Sequence, residues 1–131
     1  MFQYLMAGYL HSWLFPFFFT ITTETIILWL FVRKIFHING RDLPLTIVIA
    51  AGIFANGFTH PQVWFVFPFI FQSYTIAIVI AELFAFIAEA IFYNIFLKIT
   101  IKRALIVSLS ANAFSFLAGI FLHFFVNSKI F

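Results

Sequence analysis

From Trp13 to Val32 the chain runs through twenty residues with one charged side chain, Glu24. Residues 44–60 and 104–126 hold no Asp, Glu, Lys or Arg, and residues 74–97 hold only Glu82 and Glu89. A helix needs about 20 apolar residues to cross the hydrocarbon core of a bilayer. In lipid each backbone N–H and C=O must find its partner within the segment, which leaves the helix as the form for such runs. These runs predict an all-α integral membrane protein built as one domain over residues 1–131. Its four transmembrane helices are expected at about 13–32, 44–60, 74–97 and 104–126. The second run is short for a crossing, so it is expected to tilt or to continue through Pro61. The aromatic stretch 64–73, WFVFPFIFQS, reads as an interfacial segment or the start of the third helix.

Composition excludes the main alternatives. Of 131 residues 65% are hydrophobic and 8% charged, whereas soluble domains carry about 25% charged residues. The absence of cysteine removes disulfide frameworks, thiolate metal sites and cysteine nucleophiles. No Lys or Arg precedes the first apolar run, so a cleaved signal peptide is not expected and the first span is retained. The net charge of +3 is no nucleic-acid signal, because the basic residues sit in two short loops. Arg33, Lys34 and Arg41 flank the first, and Lys98, Lys102 and Arg103 the third. The opposite side carries Lys129. By the positive-inside rule both loops face the cytoplasm and both termini lie outside, in a bacterial or archaeal inner membrane.

The chain also echoes itself. FANGFTH (54–60) and SANAFSF (110–116) share Ala-Asn-x-Phe-Thr/Ser in register. ETIILWLFVRK (24–34) and EAIFYNIFLKI (89–99) share a leading glutamate, an apolar body and a basic end. This pattern predicts two helical hairpins of the same orientation, a parallel repeat about an axis along the membrane normal.

Helical rise converts position into depth. Glu24 lies nine residues before Arg33, Glu89 nine before Lys98, and Asn112 nine after Arg103. At 1.5 Å per residue all three are about 13 Å from the basic ends, near mid-bilayer. Asn56, twelve residues after Pro44, comes out about 18 Å in. Glu82 and His60, each sixteen residues from its helix end, come out about 24 Å in. A lower Glu/Asn layer and an upper His/Glu layer follow, with His11 and His123 farther out. Each helix carries one polar or small stripe. Thr20 shares a face with Glu24; Asn56, His60 and Gly52 share another; Thr75, Glu82 and Glu89 form a third. Ser108, Asn112, Ser115, Gly119 and His123 follow the helical rhythm on the fourth. These stripes are expected to converge inside a bundle with a polar core.

The carboxyls carry the functional signal. A charged residue at a helix centre costs on the order of 3 kcal/mol on insertion scales, and no Lys or Arg lies within the spans to neutralise them. Their partners must be a proton, a bound cation, His60 or the Asn amides. The proton- or ion-binding set is therefore Glu24, Glu89, Glu82, Asn56, Asn112 and His60, with Thr59, Ser108 and Ser115 as polar support. Small and hydroxyl-bearing stripes also serve as plain packing surfaces. His60 before Pro61 reads equally as an interfacial histidine or as the partner of Glu82 in a relay or acid–base pair. No HExxH or repeated ExxH motif stands in the chain, so a metal ligand set is not defined, and no organic cofactor motif is present. The Asn56-Gly-Phe-Thr59-His60-Pro61 segment, followed by a two-glutamate helix, resembles small bacterial membrane proteins; that resemblance implies no functional residue.

Three functions fit. The first is proton- or cation-coupled transport, or ion conduction, by a homodimer, because four helices leave little room for a pathway. The second is an intramembrane enzyme acting on lipid or peptide, with His60 and Glu82 catalytic or holding a metal. The third is a non-catalytic subunit whose polar stripes pair with partner membrane helices. Beyond the bilayer, a second copy or a partner subunit is the expected contact.

Overall fold

In the computed structural model, which describes the backbone of residues 2–128 and the side chains of residues 8–125, the described residues are helical apart from short connections. Lys129, used above to weigh orientation, lies outside the described residues. The helices are α1 (Phe2–Leu30), continued by a π-helical turn (Phe31–Ile35), then α2 (Leu45–Phe65), a single turn α3 (Phe67–Ile70), α4 (Tyr74–Leu97) and α5 (Ile101–Ser128). Three segments are long and apolar enough to cross a membrane: Gly8–Ile35, Tyr74–Leu97 and Ile101–Phe125. These are compatible with an integral membrane location. At 21 residues α2 is about 31 Å long. Its length suffices, but Asn56, Thr59, His60 and Gln62 make its second half more polar.

Local signals explain most helix ends. Pro44 stands just before α2, and its carbonyl accepts from the amides of Ile47 and Val48, as suits a residue with no amide hydrogen of its own. α2 runs through Pro61 to Phe65 rather than stopping at His60, and the 64–73 stretch becomes its last turn, the α3 turn and an extended link. Ser73 caps α4 by accepting from the Ile76 amide. Thr100 caps α5 through the Arg103 amide at 3.3 Å, so α5 starts at Ile101 and takes Lys102 and Arg103 into its first turn. The two basic loops are each entered through a residue with positive φ, His37 at 55° and Lys98 at 52°. Arg33 does more than carry charge. It donates to the carbonyls of Ile38 (2.9 Å), Asn39 (3.3 Å) and Leu43 (2.6 Å), clamping the 36–44 loop. Arg103 lies 5.1 Å from the Phe36 ring centroid and joins the two loops.

The long helices form a four-sided bundle in which α1 and α4 each pack on both α2 and α5. The apolar core lies in the half next to the basic loops. It includes Leu28, Val32, Val48, Ala51, Ala55, Ala90, Tyr93, Leu97, Ala104 and Val107, all buried. Alanines let the backbones approach, the usual basis of helix packing where lipid offers no hydrophobic drive. One close approach is between α1 and α2. A Cβ placed on Gly52 would overlap the Thr25 hydroxyl. The opposite half of the bundle is looser and contains a cavity.

Burial repeats along the chain. On α2 the residues Val48, Ala51, Gly52, Ala55, Asn56 and Thr59 are buried. At a constant offset of 56 residues stand Ala104, Val107, Ser108, Ala111, Asn112 and Ser115 on α5, buried except for a half-buried Asn112. Glu24, Leu28 and Val32 are buried at spacings of four, and so are Glu89, Tyr93 and Leu97, 65 residues later. The outside of the bundle is apolar, with Phe15, Phe18, Leu117 and Phe121 each more than 60% exposed.

Candidate functional site

Four helices each bring one polar stripe to a cavity of about 590 Å³. Its lining includes Glu24 and Thr20 from α1, Asn56, Thr59 and His60 from α2, Glu82 and Glu89 from α4, and Asn112, Ser115, Gly119 and His123 from α5. It extends to Tyr74 and Phe124, which are largely exposed, and so opens at the end of the bundle away from the basic loops. The two polar layers expected from depth are thus the floor and wall of one space.

The floor is made by Glu24 and Glu89, each about 1% exposed. The Thr59 hydroxyl lies 2.8 Å from Glu89 Oε1, and Asn112 donates through Nδ2 to Glu89 Oε2 at 2.5 Å. The Ser115 hydroxyl lies 2.6 Å from Glu24 Oε1. The Glu24 carboxyl also sits against Asn56 and Glu89. Each carboxyl thus meets an asparagine of its own helical hairpin and a hydroxyl of the other. Thr59 and Ser115 stand at equivalent places in the echoed segments, so the crossing is reciprocal. The asparagines are anchored alike: Asn56 Nδ2 donates to the Gly52 carbonyl at 3.1 Å, and Asn112 Nδ2 to the Ser108 carbonyl at 3.0 Å.

Each hydroxyl has one proton and two acceptors. Thr59 Oγ is 3.1 Å from the Ala55 carbonyl, and Ser115 Oγ is 3.1 Å from the Asn112 carbonyl. Beside an ionised carboxylate the hydroxyl donates its hydrogen bond to the carboxylate, a contact typically about 2.5–2.7 Å long. Beside a protonated carboxyl it accepts and returns its own proton to the backbone carbonyl. Both states keep these groups paired.

Among the described residues four buried polar atoms have no hydrogen-bond partner: Glu24 Oε2, Asn56 Oδ1, Thr25 Oγ1 and the Tyr93 hydroxyl. Such atoms are uncommon in folded proteins. Tyr93 is four residues after Glu89, on the same stripe, and its hydroxyl lies in the electrostatic reach of both glutamates. Sequence reasoning did not single it out, although this spacing was the available signal.

The remaining expected residues take other positions. His60 accepts through Nδ1 from Trp13 Nε1–H at 2.8 Å, so its neutral form carries the proton on Nε2. It also packs against Phe17, with ring centroids 5.4 Å apart, and stacks on Trp64. Matching depth pairs His60 with Glu82; the two line one cavity, but the hydrogen-bond partner of His60 is an indole. Glu82 is half-buried in the cavity wall. Ser108 is buried below the cavity and donates to the Phe86 carbonyl at 2.8 Å, so it fastens α5 to α4. Thr75, placed on the Glu82 stripe, is exposed at the far end of α4, one turn beyond the shielded part of the bundle. Gly52 shares the Asn56 face but meets Thr25 instead of the cavity. Trp13, the first residue of the expected first span, is half-buried and holds His60. Among the described residues no group of three His, Cys, Asp or Glu side chains comes together in a way that could hold a metal ion.

Comparison of the chain with protein-family models, with curated proteins and with solved structures finds no match.

Proposed function

We propose that the protein spans the membrane with α1, α2, α4 and α5 as two parallel hairpins, and that it couples proton or cation binding at Glu24 and Glu89 to movement of a small solute. The positive-inside rule then sets the basic loops in the cytoplasm and the cavity mouth outside. The constant burial offsets and the reciprocal Thr59–Glu89 and Ser115–Glu24 contacts support the duplicated hairpin.

The observation that carries the coupling is the pair of unpartnered acceptors, Glu24 Oε2 and Asn56 Oδ1, on neighbouring side chains. The Asn56 amide is anchored by its bond to the Gly52 carbonyl, and its Oδ1 is buried without a donor. One proton on Glu24 Oε2 makes it a donor, and a bond to Asn56 Oδ1 would satisfy both atoms. A hard cation between the same oxygens would do so too. Two adjoining buried carboxyls with no Lys or Arg among the described residues of the cavity cannot both stand ionised and uncompensated. The floor therefore suits a site that exchanges a proton or cation for something else. The bond from Trp13 to His60 favours this reading over acid–base chemistry by a His60–Glu82 pair.

The test is infrared difference spectroscopy on the protein in lipid, with flux in dye-loaded liposomes. A pH jump should change a protonated-carboxyl C=O band that Glu24→Gln and Glu89→Gln each alter. Proton entry driven by a membrane potential should fall to the empty-liposome rate in both variants. Wild-type spectra and flux in the double variant would refute the reading.

A further inference from the structure

We infer that the seam between α4 and α5 is a lateral portal into the central cavity, and that it admits an amphipathic organic cation, its alkyl part in the seam and its head among the glutamates. The inference rests on the site proposed at Glu24 and Glu89 and names the solute class it would serve.

A second cavity of about 420 Å³ lies between α4 and α5 on the outside of the bundle. Its walls are apolar, and Leu83 and Leu109 are more than half exposed there. At its floor are Glu82, Asn112 and Phe116, and these three also line the central cavity. A few side chains therefore separate a membrane-facing groove from the polar space. Both volumes fall in the range of ligand sites, about 300–1,000 Å³.

The equivalent seam in the first hairpin is closed. Phe17 stands where Glu82 stands, and His60 where Phe116 stands. Phe17 packs against His60 and stacks on Trp13 at 4.5 Å, and the Trp13 indole donates to His60. The ring cluster fills the place that the second hairpin leaves open.

Charge selects the occupant. Among the described residues the central cavity is lined by three glutamates and by no Lys or Arg. An anionic head would meet three carboxyls with no cationic side chain among the described lining residues to offset them. A cationic head gains three carboxyls, and Trp64, Phe116 and Phe124 supply aromatic faces. The apolar groove then takes the tail, which the polar cavity would not. A quaternary ammonium with a straight alkyl chain has this shape.

The test is calorimetric titration of the protein in lipid nanodiscs, with empty nanodiscs subtracted. The probes are octyltrimethylammonium, tetramethylammonium and octyl sulfate. The octyl cation should bind at least tenfold more tightly than either other probe. Ala113→Trp fills the groove from its exposed wall and should weaken the octyl cation at least fivefold while leaving tetramethylammonium unchanged. Leu109→Trp should do the same, which guards against a misfolded single variant. Glu82→Gln should weaken both cations. Equal binding of octyl cation and octyl sulfate, or no effect of either groove-filling variant in folded protein, overturns the portal. Cation binding without any linked proton release would stand for the portal and count against the coupling reading. Glutamate-dependent proton flux with no octyl-cation binding would do the reverse.

Discussion

Removing the Ser115 hydroxyl should unsettle the bundle through Glu24, a residue 91 positions away in sequence. Ser115→Ala deletes the partner of Glu24 Oε1 and leaves the neighbouring Oε2, already without one, on the same stranded carboxyl. A buried acceptor left unpaired costs about 1–3 kcal/mol. Interhelical hydrogen bonds in membrane proteins average about 0.6 kcal/mol with a maximum near 1.7, because the unfolded chain in lipid also finds partners. The two ranges overlap at about 1–1.7 kcal/mol, the loss expected for Ser115→Ala. The assay is reversible unfolding in mixed micelles for Ser115→Ala, Glu24→Gln and the double variant. If the hydroxyl acts through the carboxyl, the two losses are not additive, and a coupling of about 1 kcal/mol remains. The same cycle on Thr59→Val and Glu89→Gln should return a coupling of like size, since Thr59 lies 2.8 Å from Glu89. Additivity within about 0.3 kcal/mol at both pairs would refute the reciprocal bracing. A coupling at one pair alone would refute the equivalence of the hairpins.

Gly52→Ala should destabilise the α1–α2 contact by about 1–3 kcal/mol, the usual range for overpacking, because the new Cβ would strike the Thr25 hydroxyl. Thr25→Ala should recover part of that loss in the same unfolding assay. Arg33→Ala should speed amide exchange across residues 36–43, whose carbonyls at Ile38, Asn39 and Leu43 it holds. Arg33→Lys should recover little, since one ammonium cannot reproduce a planar fork of donors.

Depth counting found the floor because helical rise is nearly invariant. Glu24, Glu89 and Asn112 were each nine residues from a basic end, and all three line the cavity floor. Asn56 was counted higher, yet it sits beside Glu24. The count took Pro44 as level with Arg33 and Lys98. α1, however, ends in a widened π-turn, and the Arg33-clamped loop sets where α2 begins. Faces were legible for a similar reason: spacing fixes which residues share a side of a helix. Spacing does not say which neighbour that side meets. Thr59 and Ser115 were readable as polar support on their own helices, but their crossing to the opposite hairpin is a property of packing. His60 shows the same limit. Its depth suggested Glu82, while the Trp13 indole, an obligate donor, took the ring nitrogen. Arg33 was legible as a topological charge only, because its three carbonyl partners exist once the loop is folded.

The likeness of the two hairpins ends partway up the cavity, and the place where it ends bears on function. At the floor the equivalent residues keep their chemistry: glutamate answers glutamate, asparagine answers asparagine, and a hydroxyl answers a hydroxyl. On the proposed reading, two facing sites of equal kind would trade a single proton with little rearrangement, since each hydroxyl can reverse its bond. One level up the pairs are exchanged. The first hairpin has an aromatic residue on its first helix and a polar one on its second, Phe17 and His60. The second hairpin has Glu82 and Phe116. Had the upper level also matched as Glu82 does, a fourth carboxyl would face the same apolar surroundings with no cation to compensate it. Had it matched as Phe17 does, ring packing would shut both seams. The exchanged pairs close one side with aromatic contacts and leave the other with a carboxylate beside a groove. That difference gives the bundle one closed and one open side, which a perfectly repeated bundle could not have.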